Sequence, residues 1–217
     1  MELSQIHIYR MTHIENIPHI LINGITHNSS PNANVNYVSI GDTSLITTRA
    51  TKQVTITNGN RFCPIETITL GDFIPFYFGI RMPMLYVMQH GGNFVERATP
   101  PQNIVYLVCN VEELVQLSKT YYFSDGHATD FLTSFYNNYK ISDLPEIIDW
   151  NAVKAQYWSG EENLILKCKK QAEFLTAEDI PANLLKGFVC YNETAQQRLL
   201  EMKIAENMIK IYPQAYY

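Results

Sequence analysis

The sequence predicts an α+β fold. Strand-type and helix-type segments follow one another without the regular alternation that a doubly wound parallel sheet needs. No G-x-G-x-x-G turn opens a βαβ unit, and the 217 residues, 46% of them hydrophobic, suffice for one domain with a sizeable core.

His7 to Met11 alternates and reads as a short strand. A helix follows to about Asn23, stopped by Gly24. Thr12 with Glu15 fits a capping box, but Pro18 would then lie inside the helix, so Asn16 is the better cap, with Pro18 in the first turn. Residues 27–41, rich in Asn and Ser, form a long loop. Asp42 caps a second helix to about Gln53, and residues 55–70 are irregular or hairpin-like. Phe73 to Phe78 is a dense apolar strand. Met84 to His90 is helical and closed by Gly91-Gly92. Asn103 to Cys109 is a strand of the fully buried type, followed by a short helix from Glu112. Tyr121 to Phe123 is a small strand ending at Ser124-Asp125-Gly126. Helices are expected over 128–137, 150–158 and 161–170. Strands are expected at 172–176 and 187–191, then a helix at 193–206 and a strand near 208–212.

The net charge of −5 gives no global field for a polyanion, so nucleic acid would need a local patch. Cys63, Cys109, Cys168 and Cys190 are too dispersed for paired zinc ligands, and the expectation is free thiols and no metal. No segment reads as a signal peptide or a membrane span, which points to a cytoplasmic protein without a membrane partner. Walker A, H-E-x-x-H and G-x-S-x-G patterns are absent, leaving kinase, zincin and α/β-hydrolase readings without support.

Five features carry candidate chemistry. Arg49 shares a helix face with Leu45 and Ile46, so it either snorkels outward or meets an anion in a cleft. Glu173, between Ala172 and Phe174, points to the side of Gln171 and Leu175; such a Glu is usually solvated, and in a cleft it would be a base. Lys167, Lys169 and Lys170 form an ordinary solvated face or a phosphate contact. Asp125 and His127 flank a glycine turn, and the aromatic run from Phe73 to Phe78, followed by Arg81, is a core strand or a base-stacking surface.

The order and spacing of "IYRMTHIENIPHILINGI" (8–25), "SLITTRA" (44–50), "GDFIPFYFGIRMPMLYVMQHG" (71–91), "YYFSDGHA" (121–128), "IDWNAVKAQYW" (148–158) and "KKQAEFL" (169–175) resemble the DarT toxins, NAD-dependent ADP-ribosyltransferases that modify bases of single-stranded DNA. The resemblance implies an ADP-ribosyltransferase-type split β-sheet with flanking helices over residues 1–217. It implies Glu173 and Arg49 as the catalytic pair, and NAD, consumed as co-substrate, held near Arg10, Met11, Thr12, His19, Thr26, His27 and Arg49. Tyr77, Arg81, His127, Lys167, Lys169 and Lys170 are then the expected DNA contacts. A macrodomain antitoxin is the implied partner. The target base is thymine or guanine. An RNA or protein acceptor, and a non-catalytic nucleotide-binding module, are the other readings. Two departures stand out. Arg10-Met11-Thr12 replaces the family's usual His-x-Thr, and the segment 51–70 is long.

Overall fold

A computed structural model describes residues 1–60, 62, 66–92, 94, 95 and 97–217. Ten strands are found among them: β1 (His7–His13), β2 (Gln53–Ile56), β3 (Glu66–Thr69), β4 (Ile74–Tyr77), β5 (Ile104–Asn110), β6 (Tyr121–Ser124), β7 (Phe135–Tyr136), β8 (Glu173–Thr176), β9 (Gly187–Cys190) and β10 (Ile209–Ile211). The helices are α1 (Ile17–Asn23), α2 (Thr43–Thr51), α3 (Pro83–His90), α4 (Val111–Leu117), α5 (Leu144–Ile147), α6 (Trp150–Lys154), α7 (Leu164–Lys170) and α8 (Glu193–Glu201).

Eight strands form one mixed sheet in the order β10-β9-β5-β1-β4-β8-β6-β7, and β2-β3 is a separate hairpin. The two edges of β1 differ. Along β5 it pairs from His7 opposite Asn110 to His13 opposite Ile104; with β4 it meets at Tyr9 opposite Tyr77. The sheet is thus split at the β1–β4 seam into two halves that diverge from one contact, as expected of an ADP-ribosyltransferase-type sheet.

Apolar residues cover both faces, which is why β5 reads as an unbroken hydrophobic run. Val105, Leu107 and Cys109 join Phe76, Phe174 and Phe188 in the larger core. Ile104 and Tyr106 join Met11, Met82, Leu85 and Tyr216 on the other face. A third cluster, with Val54, Ile56, Leu70, Phe73 and Leu175, packs the β2-β3 hairpin onto the far half.

Local signals set the ends of the elements. Gly24 closes α1 at φ 79, and Gly91 closes α3 at φ 73. Asp42 caps α2 by accepting from the amides of Ser44 and Leu45. Three helical expectations fail. Residues 128–137 are turns and the strand β7, α6 ends at Lys154, and α8 stops at Glu201, before Lys203 with φ 64. Cys63 lies outside the described residues; Cys109, Cys168 and Cys190 are free thiols. No described helix is long and apolar enough to cross a membrane, and the described residues hold no His/Cys/Asp/Glu cluster suited to a metal ion.

Candidate active site

Glu173 begins β8 opposite Tyr77 of β4. Alternation puts Phe174 in the larger core and turns Glu173 and Leu175 to the opposite face. A carboxylate there needs partners. Arg49, 124 residues away in sequence, supplies one: Nη1 lies 3.1 Å from Oε1 as a hydrogen bond and 2.9 Å from Oε2 as an ion pair. The amide of Ala128 donates to Oε1 at 3.1 Å, and the amide of Glu173 donates to Ser124 Oγ, which donates in turn to the carbonyl of Gly126. The side chains are 17% exposed for Arg49 and 1% for Glu173. The guanidinium therefore stands between the carboxylate and the opening. Its Nη2 is buried without a hydrogen-bond partner.

In front of this pair lies a cavity of about 650 Å³, within the range of small-molecule and cofactor sites. It straddles the β1–β4 seam, taking Leu107 and Ile25 from one core and Met11 and Met88 from the other. Arg10 spans the seam, donating from Nη1 to the carbonyl of Pro75 at 2.9 Å.

The outer wall is the loop after α1, fastened at three places. Buried Asn16 donates from Nδ2 to the Val38 carbonyl and to Thr12 Oγ1, and accepts from the Val38 amide. His19 Nε2 donates to the Asn32 carbonyl at 2.9 Å. His27 donates its amide to Asp179 and Nε2 to the Gly71 carbonyl, while Ser30 Oγ donates to the other Asp179 oxygen.

Tyr77 and His127 line the cavity beside the Arg49–Glu173 pair. Burial, then the Glu173 charge, raises the Tyr77 pKa well above the tyrosine range, so the phenol keeps its proton. Burial, aided by Arg49 and Lys52 against Glu173 and Asp130, lowers the His127 pKa, so the ring is neutral at pH 7. Thr129 Oγ1 lies 2.9 Å from His127 Nδ1, and Lys52 Nζ donates to the Thr129 carbonyl.

Residues 9–217 match a family profile described as "ssDNA thymidine ADP-ribosyltransferase, DarT". The chain belongs to the DarT family. A DNA ADP-ribosyl transferase of Escherichia coli O127:H6 is 31% identical over 202 residues, 93% of this chain and 87% of that one. DarT of Thermus sp. 2.9 in complex with ADP-ribosylated ssDNA superposes with a TM-score of 0.78 at 26% identity, covering 97% of this chain and 96% of that one. The same Thermus protein in complex with NAD+ gives 0.75 at 26% identity, covering 100% and 99%. A transferase–glycohydrolase fusion protein of Thermosipho africanus is 24% identical over 95% of this chain and 47% of its own length.

This DarT-family chain is an NAD+-using DNA ADP-ribosyltransferase. In the cavity lining, Arg10 and the unpartnered Nη2 of Arg49 could hold a pyrophosphate, and Met11, Ile20, Phe73 and Tyr77 offer apolar walls to rings. Arg10, Met11, Thr12, His19, Thr26, His27, Arg49, Tyr77 and His127 all line the cavity; Arg81, Lys167, Lys169 and Lys170 lie outside its lining. Lys170 corrects the sequence expectation of a DNA contact. It is 1% exposed, and its ammonium donates to the carbonyls of Val153 at 3.0 Å and Ile80 at 3.5 Å. Burial, with Arg81 nearby, lowers its pKa to about 8. Lys169 is exposed and pairs with Asp149 at 3.4 Å.

Sequence reasoning assigned no site role to Asn16, Ser124, the Ala128 amide, Thr129 or Asp179. Asn16 had a signal: an Asn in a helix-start position whose cap role Pro18 makes redundant. Its side chain makes no cap bond and clasps Val38 instead.

Proposed function

We propose that this chain transfers ADP-ribose from NAD+ to a base of single-stranded DNA, thymine above guanine, as the toxin of a toxin–antitoxin pair. The observation that carries the reading is the Arg49–Glu173 pair, with Arg49 in the lining of the seam cavity and Glu173 buried behind it, outside the lining. The family description and the Thermus complex with ADP-ribosylated ssDNA support the acceptor, and the family description supports thymine.

The bond between nicotinamide and ribose breaks with its electron pair going to nicotinamide, which leaves neutral. Positive character grows on the sugar, and the Glu173 carboxylate stabilises it. A ring nitrogen of the base then forms the new bond to the sugar carbon, and its proton passes to Glu173. Arg49 orients the dinucleotide through its planar donor fork, releasing Glu173 as it does so. Tyr77 and His127, both neutral, offer hydrogen-bonding groups to the edge of the base beside Glu173. The base must be unpaired, because duplex pairing hides that nitrogen.

The Thermosipho fusion of a transferase with a glycohydrolase supports a partner that removes the mark, in keeping with a macrodomain antitoxin. Transfer from labelled NAD+ to oligonucleotides each lacking one base, read by mass spectrometry, tests the reading. Glu173→Gln and Arg49→Ala are each expected to reduce transfer at least about a hundredfold while thermal unfolding stays cooperative. Wild-type rates in either variant overturn the assignment.

A further inference from the structure

The turn from His127 to Thr129 brings an imidazole ring beside Glu173, and each of its three residues is pinned to a different part of the fold. The His127 amide donates to the Cys168 carbonyl of α7 at 3.0 Å, and the His127 carbonyl accepts from Thr133 Oγ1 at 2.8 Å. The Ala128 amide donates to Glu173 Oε1 at 3.1 Å. The Thr129 carbonyl accepts at 2.6 Å from Nζ of Lys52, the residue just past α2. The end of α2 therefore reaches this region twice, through Arg49 onto Glu173 and through Lys52 onto the turn. With the backbone tied, the freedom left to His127 is the setting of its ring and the choice of nitrogen that carries its proton.

Thr129 decides both. Its Oγ1 lies 2.9 Å from His127 Nδ1. Among the described residues this is the hydroxyl's sole hydrogen-bond partner, and His127 Nε2 has none. Were the ring proton on Nδ1, the hydroxyl proton would be left without an acceptor. With the hydroxyl as donor, Nδ1 and Oγ1 are both satisfied and the ring proton lies on Nε2. The ring stays neutral, because burial and the Arg49 and Lys52 charges disfavour the cation more than Glu173 and Asp130 favour it. His127 and Thr129 both line the cavity, so Nε2 is the nitrogen left for a guest.

We propose that Thr129 is a positioning residue, which holds His127 as the Nε2–H tautomer so that the ring donates to a carbonyl oxygen of the base beside the nitrogen that reacts. The inference rests on the transfer to thymine proposed above and deepens it. The step given there needs a ring N–H whose proton passes to Glu173. In thymine that N–H lies between two carbonyls, and each of them accepts. Guanine offers one carbonyl and one amino group. Cytosine and adenine set an amino group beside an unprotonated ring nitrogen, so an Nε2–H would meet another donor there. The opposite tautomer would present an acceptor where thymine offers only oxygen. A hydroxyl acting through the ring thereby sets which bases the site receives.

The test reads the ring-nitrogen NMR signals of isotope-labelled protein, assigned by their loss in His127→Gln, together with the kinetics of transfer to a thymine oligonucleotide. Wild type is expected to show a protonated Nε2 and a bare, hydrogen-bonded Nδ1. Thr129→Val keeps the shape and removes the hydroxyl. It is expected to mix the two tautomers and to lower kcat about tenfold, with KM for NAD+ within about twofold of wild type. Thr129→Ser returns the hydroxyl and is expected to restore the ring signals and bring kcat to within about threefold of wild type. A bare Nε2 in the wild-type ring overturns the proposal without any variant having to fold. So does an unchanged kcat in Thr129→Val, or a Thr129→Ser no faster than Thr129→Val. Wild-type protein that transfers nothing to thymine retires the proposed function and this role with it, whatever the ring shows. Wild-type transfer to thymine with Nδ1 protonated retires the inference alone.

Discussion

The two edges of β1 have opposite uses. Toward β5, every residue from His7 to His13 has a register partner, and the side chains on both faces of β5 are sealed in core. Toward β4, contact is made at Tyr9–Tyr77, and the strands then part around a cavity bridged by Arg10. A sheet that closes on one side of a strand and opens on the other makes rigidity and a binding cleft from the same seven residues. The closed edge fixes β1, and the fixed β1 then holds Met11 and Thr12 at the cavity wall without a loop's freedom.

That contrast can be broken at either edge. The largest stability effect is expected on the closed side. Phe188→Ala, in β9 and 1% exposed, should cost about 3–5 kcal/mol in urea unfolding. Next comes Asn16→Ala, which frees Val38 from its clasp. It should cost about 1–3 kcal/mol and raise KM for NAD+ more than it lowers kcat, with Asn16→Asp failing to restore the two donated bonds. Arg10→Ala removes one bond across the open seam. Its stability cost should be only about 1 kcal/mol, while NAD+ affinity measured by calorimetry falls by a larger factor. An Arg10 variant that destabilises as much as Phe188→Ala would erase the distinction between the edges.

The smallest effect is on pH dependence. Folded His127 binds its proton more weakly than the unfolded chain does, because burial disfavours the charged ring, and His13 is shifted the same way by burial. Between the ordinary imidazole value of about 6.5 and the lowered folded values, the unfolded state holds more protons. Stability is therefore full above about pH 6.5 and declines as the pH falls through that window. Melting temperatures across this range should fall on acidification, and less steeply in His127→Gln.

Much of the framework was legible residue by residue. Gly24, Asp42, Gly91 and the two-sided apolar run of β5 each announce their element locally. The region 128–137 misleads because Ala128, Phe131, Leu132, Phe135 and Tyr136 fall at helical spacing, yet Phe131 is 84% exposed and Leu132 49%. Side chains capture the backbone there: Thr133 Oγ1 donates to the His127 carbonyl, Asp125 accepts from the Ser134 amide and Asp130 from the Leu132 amide. The pairing of Arg49 with Glu173 spans 124 residues, and no local pattern encodes it. Only the likeness to DarT toxins brought the two residues together in the sequence. For Lys170 the likeness and the charge both pointed outward, and the fold turned the side chain in.

The threefold fastening of the loop after α1 has a kinetic meaning. Asn16, His19 and Asp179 tie this wall down with the protein's own hydrogen bonds, so the ordering entropy is spent when the chain folds and not when the dinucleotide docks. Encounter then needs no wall to assemble around the guest. The wall is tied by three side chains, whereas the Glu173 carboxylate is covered by one, the Arg49 guanidinium, so a group that engages Arg49 would act on Glu173 as well.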